Sequence, residues 1–275
     1  MRPSEREGAS TLAANRMASL IAALAGSLFL LFLFAPIAKL VASGGATGAH
    51  RFFGDTELRS SLWLTAATAT IATILGVLGG TPLAYLLARR TFRGRAILAA
   101  IIDLPILIPH PVAGIALLLV LGRQSLVGSA ALQFGLHVVG SAGGIIAAML
   151  FVSAPLYVSA AREAFARVDT RYEAVGRTLG DTAWRVFRRV TLPLSLRGLI
   201  GAAVVMWARA VAEFGAVVIL AYNPKVVSVL SYDRFTSYGL TEALPVAAVL
   251  AILALIPLTV LRALRPGRGA GFEEL

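Results

Sequence analysis

Long apolar stretches alternate with shorter polar ones along the chain. Residues 17–41 carry Lys39 as their only charge, and this run exceeds the roughly 7 to 15 residues of a signal-peptide core. It therefore predicts a first membrane-spanning helix with Lys39 snorkelling to the surface. Comparable runs predict further spans at 60–88, 96–122, 138–161, 198–222 and 243–261. Between them, 42–59 is Gly-rich and polar, 123–137 is a short loop, 162–197 is the longest hydrophilic stretch and 223–242 is a polar connection. The second span contains Thr65, Thr68, Thr70 and Thr73, whose hydroxyls can bond back to carbonyls of their own helix. Gly76 and Gly80, and again Gly140 and Gly144, stand at a spacing that permits close helix packing. In the third span Pro105, Pro109 and Pro111 each remove a donor and crowd the preceding turn, so a kink or local unwinding is expected there.

Composition agrees with this pattern and narrows it. Of the 275 residues, 58% are hydrophobic and 14% charged, against about half and a quarter in soluble domains. Six spans use most of the chain and leave no room for a second, soluble domain. The net charge is +11. Eighteen of the 25 basic residues fall in 1–16, 89–95, 162–197 and 262–268, and five in the three alternate connections. The positive-inside rule then expects both termini, including the segments 1–16 and 265–275, in the cytoplasm of a multi-pass inner-membrane protein. The basic excess thus reports topology and does not suggest a nucleic-acid partner. With no cysteine there is no disulfide, thiolate metal site or thiol nucleophile. Lys39 and Lys225 are the only lysines, and no P-loop pattern surrounds either, so ATP hydrolysis is not expected from this chain. His50, His110 and His137 are scattered, and neither HExxH nor GxSxG occurs. The expectation is a non-catalytic membrane protein without a metal.

Residues 162–197, with eight arginines and four acids, are too long for an ordinary helix connection. Asp169 can cap a short helix that Gly180 ends in the left-handed conformation. A second short helix from about Asp181 to Val190 sets Trp184, Phe187 and Val190 on one side, and Leu192-Pro193 is expected to stop it. Such a pair forms either a docking surface or an arginine-bearing layer in the lipid headgroups. Within the spans, Arg209 and Glu213 stand at i, i+4 and can pair, as an internal brace or as a contact for a passing anion. His110, in the proline-broken segment, can pack, bond a helix end or line a pathway. Asp103 reads as a cap or an interface residue.

Glu173-Ala174, Gly180 and Val190-Thr-Leu-Pro193, ahead of two final spans, resemble the EAA loop of binding-protein-dependent ABC importer permeases. Aligned through Arg177-Thr-Leu-Gly180, the chain has Ala174 at the motif glutamate, Glu173 one residue early, and Val175-Gly176 for the two alanines. Leu104 to Leu119, Trp207 to Gly215 and Ile219 to Phe235 are similar to the molybdate, tungstate and sulfate branch, the last of them to its tungstate/molybdate members. The resemblance implies an all-α type I permease domain over 17–264, with a coupling helix in 162–197. Asp169, Glu173, Ala174, Gly176, Arg177, Leu179, Gly180 and Trp184 are the residues implied to meet the ATPase. Pro105, Pro109, His110, Arg209 and Glu213 are candidates for pathway or gate. The implied partners are ABC ATPase subunits carrying Mg-ATP, an extracytoplasmic oxyanion-binding protein and a second permease copy, with no cofactor in this chain. The implied activity is import of molybdate or tungstate by alternating access. Sulfate, thiosulfate or another anion, and a gradient-driven transporter, stay open at this point.

Overall fold

The computed structural model describes residues 3–264. Among these the chain is all-α, with no strand. The helices are α1 (Pro3–Gly54), α2 (Thr56–Arg89), α3 (Arg95–Leu107), α4 (His110–Leu121), α5 (Leu126–Gln133), α6 (Ala142–Ala166), α7 (Thr170–Thr178) and α8 (Ala183–Val186). After a π-turn (Phe187–Thr191) follow α9 (Leu192–Val211), α10 (Gly215–Leu220), α11 (Val227–Tyr238) and α12 (Leu240–Leu264).

The chain's crossings follow from which ends meet. Arg89, at the end of α2, bonds Glu173 of α7 at 2.8 Å, so α2 and α6 end on one face. Lys225, beyond α10, reaches Glu57 at the start of α2 at 3.4 Å, which defines the opposite face. Both α2 and α6 run toward the first face, so α3 to α5 must carry the chain across once between them. Neither α3, with 13 residues, nor α4, with 12, is long enough to cross a hydrocarbon core of about 30 Å, and they meet at 113°. The third apolar segment is therefore a broken crossing. Pro105 stays inside α3, the break falls at Ile108 and Pro109, and Pro111 enters the first turn of α4, where its missing N–H costs nothing.

The centre of the bundle is α2, α6 and α9. Ala69, Ala72, Ile145, Met149, Val152 and Val211 form one buried layer, and Ala84, Leu87, Tyr157, Phe165, Leu199 and Met206 another. Gly76 and Gly80 act as their spacing predicts: a Cβ on Gly80 would stand 2.8 Å from the Tyr157 ring. The second glycine pair is different, because Gly140 precedes α6 at φ +71° and belongs to a turn. Each predicted threonine bonds back along α2, two of them tie neighbours as well, and Thr81, outside that set, adds a third tie. Thr65 accepts the Val227 amide at 2.9 Å, Thr70 accepts the Trp207 indole N–H at 3.0 Å, and Thr81 meets the Tyr157 hydroxyl at 2.6 Å. The apolar run of α1 stands clear of the bundle: from Met17 to Ile37 every large apolar side chain is at least 46% exposed, as suits a helix among acyl chains.

Several expected connections are helical instead. The stretch 42–59 lies in α1 up to Gly54, and Asp55 alone separates it from α2. Gly44 is buried where a Cβ would lie 2.5 Å from the Leu244 carbonyl oxygen, so contact with α12 outweighs the weak helix propensity of the glycines. Helix α5 occupies the 123–137 loop, and α11 occupies 223–242 with Val227 to Leu230 buried. The fifth span, expected unbroken over 198–222, stops at Val211 and restarts at Gly215. Leu192-Pro193 starts α9 and does not stop a helix. The π-turn widens the backbone just before Pro193, where the ring would otherwise press on the Arg189 carbonyl.

Candidate functional site

On the face where α2 and α6 end, α7 forms a capped bracket. The Asp169 carboxylate accepts the Arg171 amide at 2.9 Å and opens the helix. Gly180, at φ +87°, closes it: its amide bonds the Arg177 carbonyl and the Asp181 amide bonds that of Gly176, a double closure that needs the left-handed conformation. Tyr172, Val175, Leu179 and Trp184 form an exposed apolar ridge, with Leu179 82% and Trp184 68% open. Beneath it Trp184 stacks on Phe187 at 5.6 Å, and Phe187 packs against Tyr85 and Phe165.

The residues expected at this surface divide in two. Ala174, Arg177, Leu179, Gly180, Trp184 and Asp169 are exposed, but Glu173 and Gly176 face inward. A Cβ on Gly176 would lie 3.0 Å from Val186, so the glycine lets α7 lie on α8. Glu173 is 2% exposed. One oxygen accepts both Arg89 Nε and Thr191 Oγ1, each at 2.8 Å, and the other stands 3.5 Å from Arg177. Arg89 also donates to the Val168 carbonyl at 2.9 Å. Glu173 is consequently an internal tie, turned away from the exposed ridge. Arg89 and Thr191 lie 84 and 18 residues from Glu173 in sequence, and no local signal couples either to it.

Deeper in the bundle, residues from both broken segments meet. Arg209 donates to Glu213 Oε2 at 2.8 Å and touches His110 Nε2, which stands 3.7 Å from the same oxygen. Glu213 is 1% exposed. Its Oε1 accepts the Ala216 amide at 2.8 Å, satisfying a donor of α10's first turn, while its carbonyl accepts the Ser228 hydroxyl at 2.8 Å. This capping by Glu213 is why the fifth segment breaks where it does. Gly215 abuts His110 and Pro111, and Gly114 abuts the Ala216 backbone, so α4 and α10 lie in close contact. The i, i+4 pair was legible in the sequence, but its junction with His110 was not. Pro109 sits at this junction, and Pro105 does not. Asp103 is an interface residue, accepting the Ser159 hydroxyl at 3.0 Å.

The opposite face carries a charge cluster that sequence reasoning did not assemble. Arg234 pairs with Asp55 at 2.6 Å and Glu57 at 3.3 Å, and Lys225 with Asp233 at 2.7 Å and Glu57 at 3.4 Å. Tyr222 donates to Asp233 at 2.5 Å. Hydrogen bonds from Lys225 and Tyr222 hold the Asp233 carboxyl below its ordinary range, and Asp233 in turn raises Lys225. Among the described residues no group of three His, Asp or Glu could hold a metal ion.

Comparison with known proteins follows the same lines. The family model described as the binding-protein-dependent transport system inner membrane component matches residues 80–265. The molybdate/tungstate transport system permease protein WtpB of Thermococcus kodakarensis is 41% identical over 207 residues, covering 75% of this chain and 77% of that protein. A probable molybdenum ABC transporter permease protein of Haloferax volcanii is 36% identical over 268 residues, or 95% of this chain and 96% of its own length. Among solved structures, a bacterial alginate ABC transporter in complex with an alginate pentasaccharide-bound periplasmic protein superposes with a TM-score of 0.68. That match is 18% identical and covers 90% of this chain and 94% of the other.

Proposed function

The chain belongs to the family of binding-protein-dependent transport system inner membrane components, and from that premise we propose that it is the permease of an ATP-driven molybdate or tungstate importer. The observation that carries the reading is the bracket of α7. It is an apolar ridge held outward on the arginine-rich face, rigidly capped at both ends and joined to the central helices, as docking of a second protein requires. A gradient-driven transporter has no use for such a ridge. Relatives named for molybdate and tungstate permeases support the choice of cargo.

In this reading the ridge face is cytoplasmic, both termini lie on that side, and ABC ATPase subunits grip Tyr172, Val175, Leu179 and Trp184. Hydrolysis of Mg-ATP occurs on those subunits, while this chain supplies the pathway and carries no cofactor. An extracytoplasmic protein delivers the oxyanion at the opposite face. A second permease copy completes the pathway, because six crossings form only a thin half-channel. The Arg209–Glu213 pair, neutral as a unit, braces the junction of α4 and α10 without holding the dianion tightly, which favours passage over retention. Gly180 maintains the docking geometry.

The test is reconstitution of this chain with its ATPase and binding protein in liposomes. Uptake of molybdate and tungstate is expected only with both partners and ATP, each anion competing with the other. Uptake by this chain alone, driven by an ion gradient, overturns the importer. Tight binding of sulfate and of neither heavier anion by the binding protein overturns the cargo.

A further inference from the structure

Between the docking helix α7 and the spanning helix α9 the chain passes the glycine turn at 179–182, and from Ala183 onward α8, the π-turn and α9 follow one another without a non-helical break. On the other side, α6 joins α7 through the non-helical link 167–169. Covalent connectivity thus leaves one non-helical link on each side of α7. Glu173 bypasses both. Its carboxylate bonds Thr191, the residue from which α9 begins, and Arg89, the last residue of α2, while Arg89 also holds the Val168 carbonyl of the α6–α7 link. The ion pair is buried, with 3% of the Glu173 side chain and 9% of the Arg89 side chain exposed, and it lies on the side of α7 turned away from the ridge.

We propose that Glu173 is a positioning residue of the transport cycle: through Arg89 and Thr191 it makes α7, the end of α2 and the start of α9 move as one body. Displacement of the docking helix thereby reaches two central spans together and is not absorbed in the links at 167–169 and 179–182. The buried charges are retained for this geometry, since an ion pair removed from water gains little net stability. The role rests on the importer reading for its purpose, but the rigidity of the joint can be measured without it.

The sequence has no cysteine, so pairs of introduced thiols can carry spin labels. Arg90→Cys with Thr178→Cys spans α2 to α7, and Thr178→Cys with Arg197→Cys spans α7 to α9; all three positions are exposed. In the full complex with ATPase and binding protein, both distances should stay narrow and unchanged between ATP-free and ATP-trapped states. Glu173→Gln should broaden both. It should also lower the number of anions imported per ATP roughly tenfold, the scale of a coupling between sites, while hydrolysis continues. Thr191→Val keeps the side chain's shape and the ion pair, and should lower that ratio by a smaller factor and broaden only the α7 to α9 distance. It provides the reading if Glu173→Gln does not assemble. Distances that already change with ATP in the unmutated joint overturn the proposal, as does an unaltered import ratio in an assembled Glu173→Gln or Thr191→Val complex. If the complex without these substitutions imports nothing, the importer reading fails, and the label distances still decide whether the joint is rigid.

Discussion

Glu213 and the cluster around Lys225 use the same chemistry, carboxylates holding helix ends together, under opposite conditions. Glu213 is sealed at 1% exposure: one oxygen serves Arg209, with His110 Nε2 3.7 Å away, and the other serves the Ala216 amide. In the outer cluster Arg234 and Lys225 each contact two acids, Glu57 is shared by both, and the groups are partly open to water. Loss of one member there leaves the others paired and hydrated. A sealed acid works as a keystone, whereas a hydrated network tolerates substitution.

The largest effect that would sharpen this contrast is expected for Glu213→Ala, which leaves Arg209 without its carboxylate and the Ala216 amide without an acceptor. About 3–5 kcal/mol of stability should be lost, read as a lower unfolding temperature and poor recovery of the purified permease. Exchanging the pair, Arg209→Glu with Glu213→Arg, should recover little, because a guanidinium at 213 meets the Ala216 N–H as a second donor. Full recovery by the exchange would show the pair to be interchangeable and break the keystone reading.

Next is Gly114→Ala in the same sealed region. Its Cβ would lie 2.9 Å from the Ala216 carbonyl oxygen and the Ile219 Cβ, so overpacking of about 1–3 kcal/mol is expected in the same unfolding measurement. Gly180→Val, at φ +87° with open space around it, should cost about 1–2 kcal/mol of local strain. Its main consequence should be less uptake per ATP with membrane insertion intact, and unchanged uptake would remove the role of that turn in holding the docking geometry.

The smallest effect is expected outside. Lys225→Gln should change stability by less than about 1 kcal/mol, and less again in high salt. The outer cluster should lose its contribution in acid below about pH 4. Asp233 is depressed in the folded state, so its contribution is present above the ordinary carboxylate value of about 3.9 and is lost as pH falls through the lower folded value. A Lys225→Gln loss as large as that of Glu213→Ala would erase the distinction.

The sequence makes the number of crossings legible, together with the arginine-rich face, the capped helix from Asp169 to Gly180 and the broken third segment. All of these follow from composition, short-range capping and proline, which act within a few residues. It also places Arg209 beside Glu213, because i, i+4 spacing is a property of any helix. Other features were illegible for one common reason. That Glu173 turns inward depends on Arg89 and Thr191; that the fifth span breaks depends on Glu213 bonding the Ala216 amide; that 42–54 is helical depends on α12 lying against Gly44. Helix α11 reads as a polar connection until Thr65 is found accepting its Val227 amide.

Local pattern thus determined which segments are long and apolar enough to cross a membrane and where the arginines cluster, since a span must satisfy its own backbone in an apolar solvent. Tertiary structure alone decided which polar side chains are sealed, which are hydrated, and which stand exposed. A buried donor or acceptor must find its complement wherever the fold brings one: the Ala216 amide is three residues from Glu213, but Thr191 and Arg89 are 18 and 84 from Glu173, and Thr65 is 162 from Val227.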